Sequence, residues 1–460
     1  MEIITRRKKF TAGIIISICT LLVAYFAISI YFMKHLFLGT KINGTDVSFQ
    51  TVDQIKSEMA SELQKYTLTI NERDGKKEQI SAGDINLKYK SDEQIKGFKD
   101  GQNPLEWASS FFNTKSTKMI LETTFDKQLL EKKIDNLNCL NNSNVVEPKN
   151  PSISYGDNTF VITNEVKGNR LDKDTFVKNV TNAITNGEST IDLESANCYV
   201  SPKYTSKSQK VIDAKDMLNK YISSNVTYTF GDTKKTLDKS TINQWVSVDD
   251  NYNVSLDDEK VQDYVLSLAY AYNTNGITRS FHTSSGNTVS VSGGDYGWQI
   301  NVNKEAQNLS ETIKEGKTIT KEPLYLQSAV SHDGTDIGNT YVEIDLAKQH
   351  LWFYKNGSLV VQGDIVTGNV SLNDATPPGV YRLKDRERNA TLKGQDYATV
   401  VSYWMPFNLG IGLHDATWRA EFGGQIYQTN GSHGCVNLPY SLAETIFENI
   451  EIGTPVVCYN

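Results

Sequence analysis

The sequence predicts a multidomain chain: an N-terminal transmembrane helix, two α+β repeat modules and a C-terminal, mainly β domain. Three observations support this: one long uncharged run near the N-terminus, a weak internal repeat in the middle, and closely spaced turn signals in the last third. A chain of 460 residues is also too long for one ordinary core, so about two to four domains are expected.

The charge balance argues against one class of partner. Charged residues make up 22% of the chain and the formal net charge is −7. Nucleic-acid-binding proteins normally carry a basic stripe, so we expect no nucleic-acid partner.

The uncharged run covers residues 10–33 and follows four basic residues at positions 6–9. Its length suits a helix that crosses the hydrocarbon core. A cleaved signal peptide is the alternative, but it usually has a shorter apolar region and small residues at the cut site. Residues 34–38 lack that pattern, which favours a retained anchor. The positive-inside tendency then makes 1–9 a cytoplasmic tail and places the remaining domains outside the cell membrane.

The internal repeat consists of identical residues that recur after the same number of positions along the chain. Each copy brackets an apolar helix that ends at glycine and leads into an extended run. The matching residues are Gly168, Ile184 and Gly187 with Gly297, Ile313 and Gly316. The repeat predicts two α+β modules, at 41–204 and 206–330. Within the first, helical periodicity predicts helices near 52–63 and 127–137, and alternation predicts strands near 66–70 and 153–163.

The last third carries the β signals. Strands are expected at 341–345, 351–354, 360–367 and 380–383, after a linker at 331–336. Asn356-Gly357 is a strong two-residue hairpin turn because both positions tolerate positive φ. Short strands separated by Gly and Pro predict a sandwich or open barrel.

Two short stretches in this domain carry reactive side chains. His414 lies upstream of a Ser432-His433-Gly434-Cys435 run. Thiolate is the nucleophilic form of cysteine, and a nearby imidazole either accepts the thiol proton or stabilises the anion. Gly434 would let main-chain N–H groups approach a reacting carbonyl as an oxyanion hole.

The same residues also allow other interpretations. Cys435 could be inert or joined to Cys458 in a disulfide, and His433 could only brace a turn. A metal site would lack a spaced fourth ligand, so no metal is expected. A papain-like protease would carry cysteine before histidine in chain order, which disfavours that class.

Taken together, the pattern resembles the L,D-transpeptidases, whose YkuD-type catalytic domain carries a histidine, a spacer, Ser/Thr-His-Gly-Cys, one variable position and Asn. Here residues 415–431 form the spacer, at the long end of the family's range, and Asn437 completes the signature. Further similar pieces are Ile344-Asp345, Gln349, Leu351, Thr367-Gly368 and 376–379. The resemblance covers 339–460.

The resemblance implies roles for individual residues. Cys435 matches the acylated nucleophile and His414 its general base, oriented by the main-chain carbonyl of Asp415. Main-chain N–H groups at Gly434 and Cys435 would form the oxyanion hole. The matching positions that shape the nucleophile loop are Ser432, His433 and Asn437. The matching position that lines the substrate pocket is Trp418.

The implied reaction is a 3→3 cross-link between peptidoglycan tetrapeptide stems, made through a thioester without metal or cofactor. Carbapenems would acylate the same cysteine. The modules resemble peptidoglycan-binding repeats, with simple spacers as the alternative. Hydrolysis by an L,D-carboxypeptidase, attachment of a wall protein, and a wall-binding protein with an inactive domain are the other functions left open.

Overall fold

The computed structural model describes residues 2–73, 75–120, 122–140, 143, 145–332, 334–394 and 398–460. These residues form two compact units. The first contains residues up to 152 together with 163–206, and the second contains 153–162 together with 207–460.

The first unit begins with the long helix α1 (Glu2–Tyr31). Within the part of the chain that the structure describes, Ile3–Tyr31 is apolar enough to cross a membrane, and only 6% of its most apolar window is buried in protein. A core helix of a soluble domain would be covered by other elements. An exposed apolar helix at an N-terminus is instead either a membrane span or a signal sequence.

The rest of the first unit is an α+β module around the sheet β10-β3-β4. Its helices are α2 (Val52–Gln64), α3 (Glu93–Asp100), α4 (Lys127–Asp135) and α5 (Lys173–Thr185). Its strands are β1 (Lys41–Ile42), β2 (Thr45–Asp46), β3 (Thr67–Asn71), β4 (Lys77–Ser81), β5 (Lys88–Tyr89), β6 (Ser116–Thr117), β7 (Thr123–Thr124) and β10 (Thr190–Asp192). The predicted helices and the strand near 66–70 are therefore present.

The second unit starts with a second module. It includes the hairpin of β8 (Ser152–Gly156) and β9 (Thr159–Thr163), because Phe160 packs in this module's core and bonds to Asn219 on α6. The module's helices are α6 (Gln209–Ile222), α7 (Lys239–Ile242), α8 (Asp258–Tyr272) and α9 (Val302–Glu315). Its strands are β11 (Asn225–Phe230), β12 (Thr233–Leu237), β13 (Val246–Val248), β14 (Val254–Leu256), β15 (Arg279–His282), β16 (Thr288–Val291), β17 (Gln299–Ile300), β18 (Thr318–Lys321) and β19 (Tyr325–Gln327).

The two modules repeat one topology. In the first, α5 leads into β10, which pairs in parallel with β3, and β3 pairs antiparallel with β4. In the second, α9 leads into β18, which pairs in parallel with β11, and β11 pairs antiparallel with β12. Gly316 ends α9 in the left-handed conformation that glycine adopts without strain. The internal repeat predicted from the sequence is confirmed.

The C-terminal part is a β-sandwich. One sheet has the order β22-β21-β20-β28-β23 and the other β24-β25-β26-β27. The strands are β20 (Tyr341–Asp345), β21 (His350–Lys355), β22 (Ser358–Asp364), β23 (Gly379–Arg382), β24 (Glu387–Lys393), β25 (Ala398–Asn408), β26 (Ile411–Asp415), β27 (Val436–Leu438) and β28 (Pro455–Tyr459), with helices α10 (Ile426–Asn430) and α11 (Tyr440–Asn449). Inward-facing residues of both sheets and of α11 form one core.

The hairpin β15–β16 of the second module packs onto this sandwich. Phe281 and Val291 share a buried cluster with Val380 and Val457. The carboxylate of Glu343 on β20 is fully buried and accepts a hydrogen bond from the Ser284 N–H at 2.8 Å. The sandwich therefore depends on residues well before 331 for part of its packing.

Arg279 and Asp336 form a buried ion pair in the same region, with Nε and Oδ1 2.7 Å apart. Asp336 belongs to the segment 331–336 that the sequence analysis interpreted as a linker, and the pair fixes it in place. Asp333 of that segment lies outside the described residues.

Replacing Arg279 with Ala leaves the Asp336 carboxylate buried without its partner. We expect the free energy of unfolding to fall by about 3–5 kcal/mol, measured by chemical denaturation of the full-length protein. Arg170→Ala is the matched control, since Arg170 pairs with Glu147 on the exposed surface and should cost at most about 1 kcal/mol. Equal effects from the two variants would contradict this account.

Candidate active site

Two neighbouring parallel strands, β26 and β27, carry the reactive residues. Leu413 lies opposite Val436 and His414 opposite Asn437. Cys435 directly precedes β27, so the register continues to Gly412 beside it. Because side chains alternate along strands, Cys435 and His414 project from the same face. Residues far apart in sequence thus meet at one edge of the sandwich.

The loop before Cys435 is held by its own polar groups. The Ser432 hydroxyl donates to the Cys435 carbonyl and accepts the Gly434 N–H at 3.1 Å. Gly434 has φ +114°, a conformation that other residues rarely adopt. The Ser432 N–H also donates to the Thr367 carbonyl at 3.0 Å. The glycine of the motif is therefore required by backbone geometry.

Thr376 and Gly368, which had no individual role assigned from the sequence, also support the nucleophile loop. Thr376 accepts the Gly368 N–H at 3.1 Å and donates its hydroxyl to the Gly434 carbonyl at 2.7 Å. A Cβ on Gly368 would lie 1.9 Å from the Asp374 carbonyl oxygen. Only glycine fits where the main chain at 368 approaches the main chain at 374 so closely. This packing accounts for the presence of Thr367-Gly368 and 376–379 beside the nucleophile loop.

Gln349 provides a second buried support. Its side-chain amide bonds to both the N–H and the hydroxyl of Thr367, at 2.9 and 2.8 Å. The side chain is fully buried, so these bonds have no competition from water. Gln349 thereby fixes Thr367, whose carbonyl accepts the Ser432 N–H of the nucleophile loop.

His414 is buried, and its Nδ1 lies 2.9 Å from the Asp415 carbonyl oxygen. A carbonyl only accepts, so Nδ1 carries the proton and Nε2 is left as the basic nitrogen. Burial lowers the pKa of His414, and its hydrogen bond to Asp415 partly opposes this. Burial therefore favours the neutral form of His414.

Asp415 has a further contact that the sequence analysis did not expect. Its carboxylate is buried and accepts the Tyr403 N–H at 2.8 Å, which ties β26 to β25. The family resemblance implied only a main-chain role for Asp415. The side chain helps to hold the carbonyl that orients His414.

Cys435 is 9% exposed, and its sulfur lies 3.6 Å from the Gly410 carbonyl oxygen, to which the thiol donates. Burial raises the pKa of Cys435 above 9.0, opposed in part by the Gly412 N–H. The raised pKa of Cys435 and the lowered pKa of His414 together favour a neutral thiol–imidazole pair over a preformed thiolate–imidazolium pair. Cys435 and Cys458 are both free thiols, so the alternative of a disulfide between them is wrong.

A cavity of about 240 Å³ lies over this pair. It brings together most of the residues singled out from the sequence, while Gly434 and Asp415 lie outside its lining. The lining residues are Leu392, Thr399, His414, Trp418, Arg419, Gly431, Ser432, His433, Cys435 and Asn437. The Trp418 ring is half exposed, with its centroid 5.8 Å from that of His414. Arg419 was not predicted as a site residue, although a basic residue next to Trp418 could have indicated a place in the pocket.

Larger cavities of about 490 and 510 Å³ occur in the first unit, and one of about 430 Å³ lies in the second. None of their described linings contains a histidine, whereas the described lining of the smaller cavity contains both a histidine and a cysteine. Among the described ranges, no cluster of three or more His, Cys, Asp or Glu side chains is arranged to hold a metal ion.

The pKa directions predict how the thiol reacts. Burial disfavours the thiolate, so alkylation of Cys435 by iodoacetamide should be slow at pH 7 and should keep rising beyond pH 9.0, the ordinary thiol value. Peptide mapping of the alkylated protein measures this rate for each cysteine. A fast, pH-independent rate between pH 6 and 8 would instead indicate a preformed ion pair.

Comparison with known protein families identifies the domains that this chain contains. Residues 339–458 match the model described as "L,D-transpeptidase catalytic domain". Residues 78–192 and 204–320 match, in two copies, the model described as "Putative peptidoglycan binding domain". This chain belongs to the L,D-transpeptidase family. Its L,D-transpeptidase catalytic domain makes it a transpeptidase enzyme, as the resemblance predicted.

Individual relatives are similar over different parts of the chain. It is 26% identical to the Bacillus subtilis (strain 168) protein named "Putative L,D-transpeptidase YciB" over 168 residues, which are 34% of this chain and 84% of the relative. A crystal structure of a cysteine-to-serine mutant of the Enterococcus faecium L,D-transpeptidase is 34% identical, covers 55% of this chain and 100% of its own, and has a TM-score of 0.45. The E. faecium catalytic domain acylated by ertapenem, determined by NMR, is 43% identical, covers 26% of this chain and 98% of its own, and has a TM-score of 0.25.

Proposed function

We propose that this L,D-transpeptidase forms 3→3 peptidoglycan cross-links through a thioester on Cys435, with His414 as general base. The observation that carries the proposal is the shared cavity: Cys435 and His414 both line it, and His414 has its basic Nε2 left free by the bond to Asp415. Nucleophile, base and orienting group are the three parts that covalent acyl transfer requires.

The first step makes the acyl-enzyme. The Cys435 thiol gives its proton to Nε2 of His414 as the sulfur attacks the carbonyl before the terminal D-Ala of a donor tetrapeptide. The C–N bond then breaks, and His414 passes the proton to the leaving amine of D-Ala. A thioester between Cys435 and the shortened stem remains.

Main-chain N–H groups stabilise the oxyanion formed in this step. The Gly434 N–H is already engaged by the Ser432 hydroxyl at 3.1 Å. The Cys435 N–H has no hydrogen-bond acceptor within the described parts of the chain. Cys435 is therefore the main donor in our proposal, with Gly434 shared between Ser432 and the oxyanion.

In the second step, the side-chain amine of a diamino acid in an acceptor stem attacks the thioester. His414 accepts the amine proton, the C–S bond breaks, and the thiol is restored. Water in place of the amine would give an L,D-carboxypeptidase product, and another amine would attach a wall protein. Trp418, exposed at the cavity mouth, provides an apolar surface for the incoming stem.

Mass analysis of products tests the proposal. The full-length protein in detergent is incubated with a defined disaccharide tetrapeptide. Cross-linked dimers that have lost one D-Ala are expected. Tripeptide monomers alone would indicate the carboxypeptidase, and release of no D-Ala would contradict the proposed activity altogether.

The modules and the helix complete the proposal. The modules predicted at 41–204 and 206–330, with the hairpin of β8 and β9 belonging to the second, bind peptidoglycan or set the distance to it. The helix α1 anchors the chain with residues 1–9 in the cytoplasm and the catalytic domain, 339–460, facing the wall. Protease added to intact cells should remove the catalytic domain and spare α1. A mature chain that begins near residue 35 would show a cleaved signal instead.

β-Lactam inhibition follows from the same chemistry. The E. faecium catalytic domain is acylated by ertapenem, and we propose that carbapenems acylate Cys435 here.

A further inference from the structure

Arg419 has no anionic partner among the described residues. It lines the cavity over Cys435 and His414, yet it forms no ion pair within the described ranges. None of the described residues that line this cavity is acidic. The Arg419 Nη1 donates to the Asn430 carbonyl at 2.9 Å, which fixes the guanidinium, while Nε is buried without a partner in the described structure.

A partly buried guanidinium without a counter-ion is costly. Burial lowers the pKa of Arg419, which reports the same loss of hydration. A buried donor left unsatisfied costs about 1–3 kcal/mol, more when it is charged. Binding a carboxylate would recover that free energy, because guanidinium and carboxylate form strong paired hydrogen bonds.

Asn437 adds an independent observation in the same cavity. Its side chain is 2% exposed, and its Oδ1 has no hydrogen-bond partner among the described residues. Its main chain is bonded to Val366 in both directions, at 2.9 and 3.0 Å, so the backbone that carries this side chain is fixed. The cavity thus offers one unused acceptor and one unused cationic donor.

We propose that Arg419 binds the free carboxylate of the terminal D-amino acid of the donor stem, while Asn437 accepts the N–H of the amide bond that is cleaved. A C-terminal residue carries these two groups one carbon apart. This assignment rests on the proposed function, and it makes Arg419 a specificity residue that requires an unamidated donor end.

We assign the carboxylate that Arg419 binds to the leaving residue, rather than to another part of the substrate, because of the position of His414. The base must return its proton to the leaving amine, so the terminal residue has to lie beside His414. Arg419 is close enough to His414 to act on it electrostatically. A carboxylate on the acceptor stem would arrive only after that residue has left.

The test compares two donors with the full-length protein in detergent: one tetrapeptide stem ending in D-Ala and the same stem ending in D-alaninamide. The rate of release of the terminal residue gives kcat/KM for each. The unmodified protein should prefer the acid by about 10- to 100-fold, the usual value of a charged hydrogen bond. Arg419→Gln should remove this preference by slowing only the acid, and Arg419→Lys should keep part of it.

Arg382→Gln is the matched control, since Arg382 also has a buried Nε without a partner in the described structure but lies outside the cavity lining. It should leave the preference intact. Equal slowing of both donors by Arg419→Gln, or an undiminished preference, would overturn the proposal. Release of neither terminal residue by the unmodified protein would instead count against the proposed function itself.

Discussion

Cys435→Ala is expected to abolish both release of D-Ala and formation of any covalent adduct. The only other thiol among the described residues of the sandwich is that of Cys458, which is fully buried in β28, and burial raises its pKa. Cys435→Ser should also be nearly inactive, because an alkoxide is much harder to form beside one imidazole than a thiolate is. Turnover assays with the tetrapeptide donor, together with intact mass, measure both effects.

Cys458→Ala is the control for this prediction. It removes a thiol from the same domain without touching the cavity, so adduct formation should persist. Loss of the adduct in Cys458→Ala with retention in Cys435→Ala would reverse the assignment of the nucleophile.

His414→Ala should lower kcat/KM by about 10²- to 10⁴-fold, the usual range for a lost general base. Because burial favours the neutral forms of both Cys435 and His414, we expect little preformed thiolate at pH 7. The residual activity of the variant should therefore rise with pH, as hydroxide deprotonates the thiol. The unmodified protein should instead lose activity only below the lowered pKa of His414.

His350→Ala provides the matched control. His350 lies on β21 and bonds to Asp364 at 2.7 Å, away from the cavity. Its removal should leave the pH profile unchanged. A His414→Ala variant with the same profile and rate as the unmodified protein would exclude His414 as the base.

Local signals predicted much of the fold. Asn356-Gly357 joins β21 to β22 with positive φ at both residues, as expected, because a two-residue turn depends only on its own backbone. The repeat was visible because both modules end an apolar helix at glycine before a parallel strand. The linker interpretation at 331–336 missed Asp336, since its partner Arg279 is brought near only by the tertiary fold.

The site was predictable to the extent that its residues form a contiguous motif. Ser432, His433, Gly434 and Cys435 follow one another, and together with His414 and Asn437 they match the signature of the family. Thr376 reaches the site through tertiary contacts with Gly368 and Gly434. Arg419 lies beside Trp418 in the sequence, but its role depends on where its guanidinium points, which periodicity and spacing do not encode.

The most direct test of the central claim is to locate the acyl group. The full-length protein is mixed with a defined tetrapeptide donor without acceptor, quenched in acid and digested for peptide mapping. We expect the mass of the tripeptidyl stem on the peptide that contains Cys435, and its removal by hydroxylamine. An acyl group on any other residue, or cross-linked product formed without a Cys435 adduct, would contradict the mechanism.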